Sequence, residues 1–311
     1  MDAFGRNFLK VRNENIIPLV SYGIKKDKFT HWRFKDILTK RITAFSKTSK
    51  DTFQIELAQS DFYNALHCDI ELFMNKSLVQ FNDSILSKSN SATWSYVTLY
   101  YFAFFSCVTL FRFLKKGFIF LSAEHTKAIE EFAYAVNSDI IKLNNGNYYF
   151  SYTGENAAGD AIITLTHKGD TVHKSTWIQF ESTMREFIKS SDNDEKVIFS
   201  NILSLFKSFK IEYPSTLRNQ LNYVGESSFF DLERMLDHVE LKTNLNDVIK
   251  GLLSTSSDNT IPNQIKSITY LSVFLFRYNN ELYREFLTRS KFGSDFNKLR
   301  LDFSVLKGIK I

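Results

Sequence analysis

Apolar residues recur at three- and four-residue intervals along most of the chain. The clearest run is Phe62, Leu66, Ile70, Phe73, Ser77, Phe81 and Ile85, one face of a helix that Ser60 and Asp61 can cap. Residues 87–91 are polar and read as a turn. A second helix then covers about 92–114 and stops near Gly117. Two long antiparallel helices joined by a short turn start a bundle. Upstream, Phe34, Leu38, Ile42 and Phe45 keep helical spacing with Lys35, Lys40 and Arg41 on other faces, which predicts a basic amphipathic helix. Residues 15–23 read as extended, because Pro18 interrupts a helix.

The period changes after a helix from Ser122 that ends at residues 144–147. Residues 148–152 and 161–166 favour strands and are punctuated by Gly154, Gly159 and Gly169. A small β-hairpin or three-stranded sheet is expected across 147–174. Helical spacing returns at Trp177, Phe180, Met184 and Phe187, and again from Val197 to Phe209. Tyr213 and Pro214 end that run, and Ser215 or Thr216 starts a short helix that stops at Gly225. Further helices are expected at 230–242 and 245–253, then one through Ile265, Leu271, Tyr278 and Phe286. The fold class that follows is mainly α, a helical bundle with a small antiparallel β insertion. The divisions are a basic N-terminal extension (1–50), a helical domain (51–255) carrying the β insertion, and a C-terminal helical segment (256–311).

Composition narrows the function. With 44% hydrophobic and 23% charged residues the chain can bury a core, and 11 Gly with 3 Pro suit long helices more than a turn-dense β fold. Two cysteines, Cys68 and Cys107, exclude a disulfide framework, and no apolar leader opens the chain, so a reducing, cytoplasmic setting is expected. Residues 89–111 carry no charge and are long enough to span a bilayer, but their Ser and Thr content favours a buried core helix. Net charge is +5, yet residues 1–50 hold twelve bases against four acids. A basic end on a near-neutral body suits a polyanion, and a solvated lysine-rich surface is the plainer alternative.

Motif searches exclude more than they find. No Gly-rich phosphate loop, H-E-x-x-H, G-x-S-x-G or EF-hand loop is present, and no metal or cofactor is expected. His167 and His173 could face each other across the Gly169 turn, although an ordinary hairpin pair explains them as well. The segment P-S-T-L-R-N-Q-L-N-Y-V-G, residues 214–225, gathers Arg218, Asn219, Asn222 and Tyr223 near one helix end. Arginine close to a helix N-terminus opposes the dipole. Either it binds an anion bidentately or it sits in a structural clasp with an acid such as Glu71 or Glu226.

Residues 93–113 (T-W-S-Y-V-T-L-Y-Y-F-A-F-F-S-C-V-T-L-F-R-F) resemble the aromatic helix of the HEPN superfamily. L-R-N-Q-L-N-Y, residues 217–223, resembles that family's later Arg-polar-x-His helix. The resemblance covers roughly 55–240. It implies a helical bundle that dimerises and an RNA-directed effector of a bacterial toxin–antitoxin or antiphage (antiviral) defence system, with an operon-encoded protein partner. It leaves open whether the chain is a metal-independent endoribonuclease. By position, Arg218 matches the family's phosphate-stabilising arginine and Asn219 the polar residue after it. Tyr223 stands where the family has its histidine. With a reference pKa of about 10, tyrosine is a poor base at neutral pH. Asn222, Lys35, Lys40 and Arg41 complete the expected RNA contacts, with DNA or a nucleotide as other ligands and no membrane. The alternative is an inactive HEPN-like binding or scaffold module.

Overall fold

Pro18 does not end the first helix. In the computed structural model, which describes residues 5–22, 34–86, 91–138, 140–223, 233 and 244–290 (backbone alone at 85, 86, 92 and 223), the chain starts with α1 (Arg6–Val11). It continues through a π-helical segment, Arg12–Ile16, into α2 (Ile17–Tyr22). Pro18 has no N–H for the carbonyl of Glu14, four residues earlier. Lys115 Nζ donates to that carbonyl instead, at 3.2 Å. The extended reading of 15–23 is therefore corrected for 15–22, and position 23 lies outside the described residues.

The expected helix over 34–45 is also shorter. α3 (Phe34–Lys40) stops, and Ile42–Lys47 forms β1, paired with β2 (Thr52–Leu57). The helical hairpin follows: α4 (Gln59–Leu86) and α5 (Ala92–Phe113). Then come β3 (Lys116–Leu121), α6 (Ala123–Asn137), β4 (Gly146–Glu155) and β5 (Ala161–Lys168). The remaining helices are α7 (Val172–Ser190), α8 (Asn193–Phe209), α9 (Tyr213–Tyr223), α10 (Leu245–Ser254) and α11 (Ile261–Arg289). The helix expected at 230–242 falls outside the described residues apart from Glu233.

The protein is mainly helical with one antiparallel sheet in the order β1-β2-β5-β4-β3. The sheet is more than an insertion at 147–174, because three of its five strands come from before that interval, and residues 172–174 already belong to α7. β1, inside residues 1–50, and β2 form a hairpin that docks on β5. One face of the sheet is buried through Phe53, Ile55, Leu57, Tyr148, Phe150, Ile163 and Leu165. Phe34 of α3 lies 4.4 Å from the Phe150 ring and 5.8 Å from Phe62 of α4, which places helix and sheet on one core.

α5 is the central element. It packs on α4 and on α11, and Tyr96, Leu99, Tyr100, Phe102, Ala103, Cys107, Leu110 and Phe111 are all buried. Among the described residues it alone is long and apolar enough to cross a membrane, but 78% of that apolar window is buried inside the protein. Asn279 of α11 donates to the Ser106 carbonyl at 2.7 Å, a buried bond where the two helices cross.

Arg112 closes the lower end of α5. Its guanidinium is 2% exposed, bonds Asp69 at 2.9 Å, and donates to the carbonyls of Lys116 and Phe118 at 3.3 and 2.9 Å. It also lies over the rings of Phe73 and Phe150. Gly117 has φ +141°, and a Cβ there would strike the guanidinium. Arg112→Ala is expected to lower unfolding free energy by about 3–5 kcal/mol in urea titrations, because Asp69 loses its partner in a desolvated setting. Gly117→Ala should also destabilise, through both backbone and collision, and an unchanged urea midpoint in either variant would contradict this account.

Candidate functional site

α9 is anchored by an apolar stripe. Tyr213, Leu217 and Leu221 are buried, and the Tyr213 hydroxyl is 2.9 Å from Ser267 Oγ on α11. The Tyr213 ring packs edge-on against Phe206 and Phe209. Pro214 is inside the helix, in its first turn, where a missing N–H is harmless. Arg218 is consequently in the second turn, further from the positive helix end than its sequence context suggests, so opposition to the dipole explains little.

What distinguishes Arg218 is its surroundings. The half-buried side chain lies with its guanidinium carbon 5.5 Å from the Tyr100 ring centroid and 5.7 Å from that of Tyr101. Its Nε is buried and has no hydrogen-bond partner. Among the described residues no carboxylate is within salt-bridge distance of it. Glu71, one candidate for a clasp, stands on α4 beside His67 at 4.0 Å, and Glu226 lies outside the described residues. Cation–π attraction on the order of 0.5–2 kcal/mol holds the guanidinium over the two tyrosines. It satisfies no N–H directionally.

A histidine not expected at this site joins it. His173, in the first turn of α7, has Nδ1 2.8 Å from the Tyr100 hydroxyl and its ring 4.5 Å from Phe104. It does not pair with His167, whose ring packs on Tyr148 and whose Nε2 is 3.3 Å from the Asn145 carbonyl. Trp177, one turn along α7, lies 6.2 Å from Tyr100 and is fully buried. Burial, helped by the nearby Arg218 charge, pushes the His173 pKa down to about 4. Burial raises the Tyr100 phenol well above its usual range, against smaller opposite effects of the Trp177 and Arg218 N–H groups.

The other expected residues are placed as follows. Asn219 is exposed on α9 and Asn222 is half-buried one turn on. Tyr223 is the last residue of α9, with its side chain outside the described residues. Lys35 is half-buried on α3, while Lys40 and Arg41 are exposed where α3 turns into β1. α3 packs chiefly on α4, α6, β1 and β3, whereas α9 packs on α5, α7 and α11. The three basic residues thus stand on the sheet side and do not join Arg218. Among the described residues no cluster of three His, Cys, Asp or Glu side chains is placed to hold a metal. Comparison with protein-family models, curated proteins and solved structures gives no match.

The depressed His173 pKa makes stability pH-dependent. The folded value, about 4, lies below the unfolded value of about 6.5. Stability is then full above pH 6.5 and declines as pH falls toward 4. His67, wholly buried and held near 3 by desolvation, acts in the same direction. His173→Phe should remove part of this acid-side loss when urea midpoints are compared at pH 7 and 4.5. Arg218→Gln should raise the His173 pKa toward 6.5, read from its imidazole NMR titration, and an unmoved titration would contradict the coupling.

Proposed function

We propose that this chain is a HEPN-like, RNA-directed effector of a bacterial toxin–antitoxin or antiphage system, acting in the cytoplasm, with Arg218 as its phosphate-binding group. The single observation carrying the reading is the guanidinium itself: half-buried, stacked on two tyrosines, with a buried Nε–H that no described residue satisfies. Buried donors are almost always paired, and a ligand phosphate is the partner that suits guanidinium geometry best. Exposed Asn219 and half-buried Asn222 on the same helix supply amides for neighbouring phosphate or ribose oxygens. A homodimer would bring one such helix from each subunit to a shared groove.

As an enzyme the chain would direct a ribose 2′-oxygen at the adjacent phosphorus without a metal; the P–O5′ bond breaks, the 5′-oxygen leaves as a hydroxyl that takes up the proton the 2′-OH gives up, and a 2′,3′-cyclic phosphate remains, with Arg218 stabilising the charge on the phosphate oxygens. A second reading, a binding or scaffold module that does not cleave, is favoured by Tyr223 at the position of the family's histidine.

Total RNA incubated in EDTA with wild-type protein and Arg218→Ala tests both. Loss of cleavage by about 10²–10³-fold in the variant supports the enzyme. Binding without cleavage, weakened by Arg218→Ala, supports the module. Absence of RNA binding by wild-type protein at low salt overturns both.

A further inference from the structure

Two nitrogen-bearing side chains share one aromatic floor. Arg218 reaches the Tyr100 and Tyr101 rings from α9, and the His173 imidazole lies 5.9 and 6.0 Å from the same two centroids, arriving from α7. Nearly half a hundred residues separate them in sequence, so tertiary packing alone brings them together.

The position of the His173 proton follows from its neighbour. The Tyr100 hydroxyl lies 2.8 Å from Nδ1. Burial keeps that phenol protonated, so it has a proton to give. The other polar groups turned toward it, Trp177 Nε1–H and the Arg218 guanidinium, are donors and cannot take that proton. Tyr100 therefore donates to Nδ1, and the neutral imidazole carries its own hydrogen on Nε2, a tautomer assigned from the hydrogen-bond network. Among the described residues Nε2–H has no acceptor. Trp177 Nε1 and the Tyr96 hydroxyl, both fully buried, also lack partners. Tyr96 lies one helical turn from Tyr100 on the same face of α5. The group is rich in N–H and O–H donors and holds no carboxylate.

We propose that His173 Nε2–H and the Arg218 guanidinium together bind one phosphate group, with His173 serving as a neutral donor and Tyr100 as the residue that positions it. This rests on the phosphate-binding reading of Arg218. It assigns His173 no proton-transfer step. The phosphate has two chemical sources, an internal phosphodiester of single-stranded RNA and the terminal phosphate of a nucleotide. Lys174 beside His173 is directed to Asp170 at 3.4 Å, so the charged group facing the imidazole from a neighbouring element is Arg218, with Tyr100 and Tyr101 as the titratable groups of α5.

The full-length protein with ¹⁵N-labelled imidazoles gives the first measurement. An Nε2–H tautomer for His173 at pH 7 is expected, and an Nδ1–H tautomer overturns the proposal whatever the variants do. The second measurement is binding of inorganic phosphate, a nucleoside monophosphate and a short single-stranded RNA without terminal phosphate. His173→Phe should weaken phosphate binding about tenfold, while His173→Gln, which restores an N–H donor, should recover most of it. The stronger of the last two ligands identifies the source. Undiminished affinity in His173→Phe, with Arg218→Ala still impaired, overturns this proposal and leaves the RNA reading standing. RNA binding unaffected by Arg218→Ala overturns the RNA reading and this proposal with it.

Discussion

One buried guanidinium ties the helices to the sheet. Arg112 takes Asp69 from α4, two carbonyls from β3 and the ring of Phe150 from β4. A desolvated charge is tolerable only when its donors are met this fully. The arrangement also fixes where α5 ends and where β3 begins, with Gly117 supplying the backbone that lets the strand pass close by. Because α5 is a rigid rod, fixing one end fixes Tyr100 and Tyr101, about 18 Å up the helix at 1.5 Å per residue.

The buried Arg112 and the half-buried Arg218 therefore differ in kind. Arg112 has a protein acceptor at each of its three nitrogens, and its role is architectural. Arg218 has comparable access to aromatic faces but no acid or carbonyl to receive its buried Nε–H. Evolution could have closed that gap with one carboxylate on α5 or α7. The side chains there are tyrosine, tryptophan and a histidine whose neighbour turns it into another donor. Under the proposed reading, that excess of donors over acceptors is what an anion would meet.

Much of the helical frame was legible in the sequence, because α4, α5, α8 and α11 have long stripes that no alternative period explains. The sheet was legible only in its β4–β5 hairpin, where Gly159 lies in the turn, Gly154 at a bulge within β4 and Gly169 after β5. Thr52–Leu57 alternates strictly between polar and apolar residues, yet it is short and runs almost directly into α4. Ile42 and Phe45 happened to continue the spacing of Phe34 and Leu38, which disguised β1 as helix. Pro18 misled because its missing hydrogen bond is replaced from far away, by Lys115. At the candidate site Arg218 was visible as an oddity of one helix. His173 was not, since nothing local links it to residues 217–223, and Tyr100 was indistinguishable from any other core aromatic.

The start of α1 carries a consequence for how the chain is made. The backbone N–H groups of Gly5, Asn7 and Phe8 are taken by the Glu195 carboxylate and that of Arg6 by Asp192, while Phe8 and Asn7 meet Tyr278. α1 is synthesised well before these anchors, since Asn7 and Glu195 are 188 residues apart along the chain. Translation runs at roughly 5–20 residues per second, so this segment waits on the order of ten seconds or more before it can dock. During that interval the residues it later buries, Phe8, Val11 and Ile16, are uncovered and open to chaperones and to mispairing.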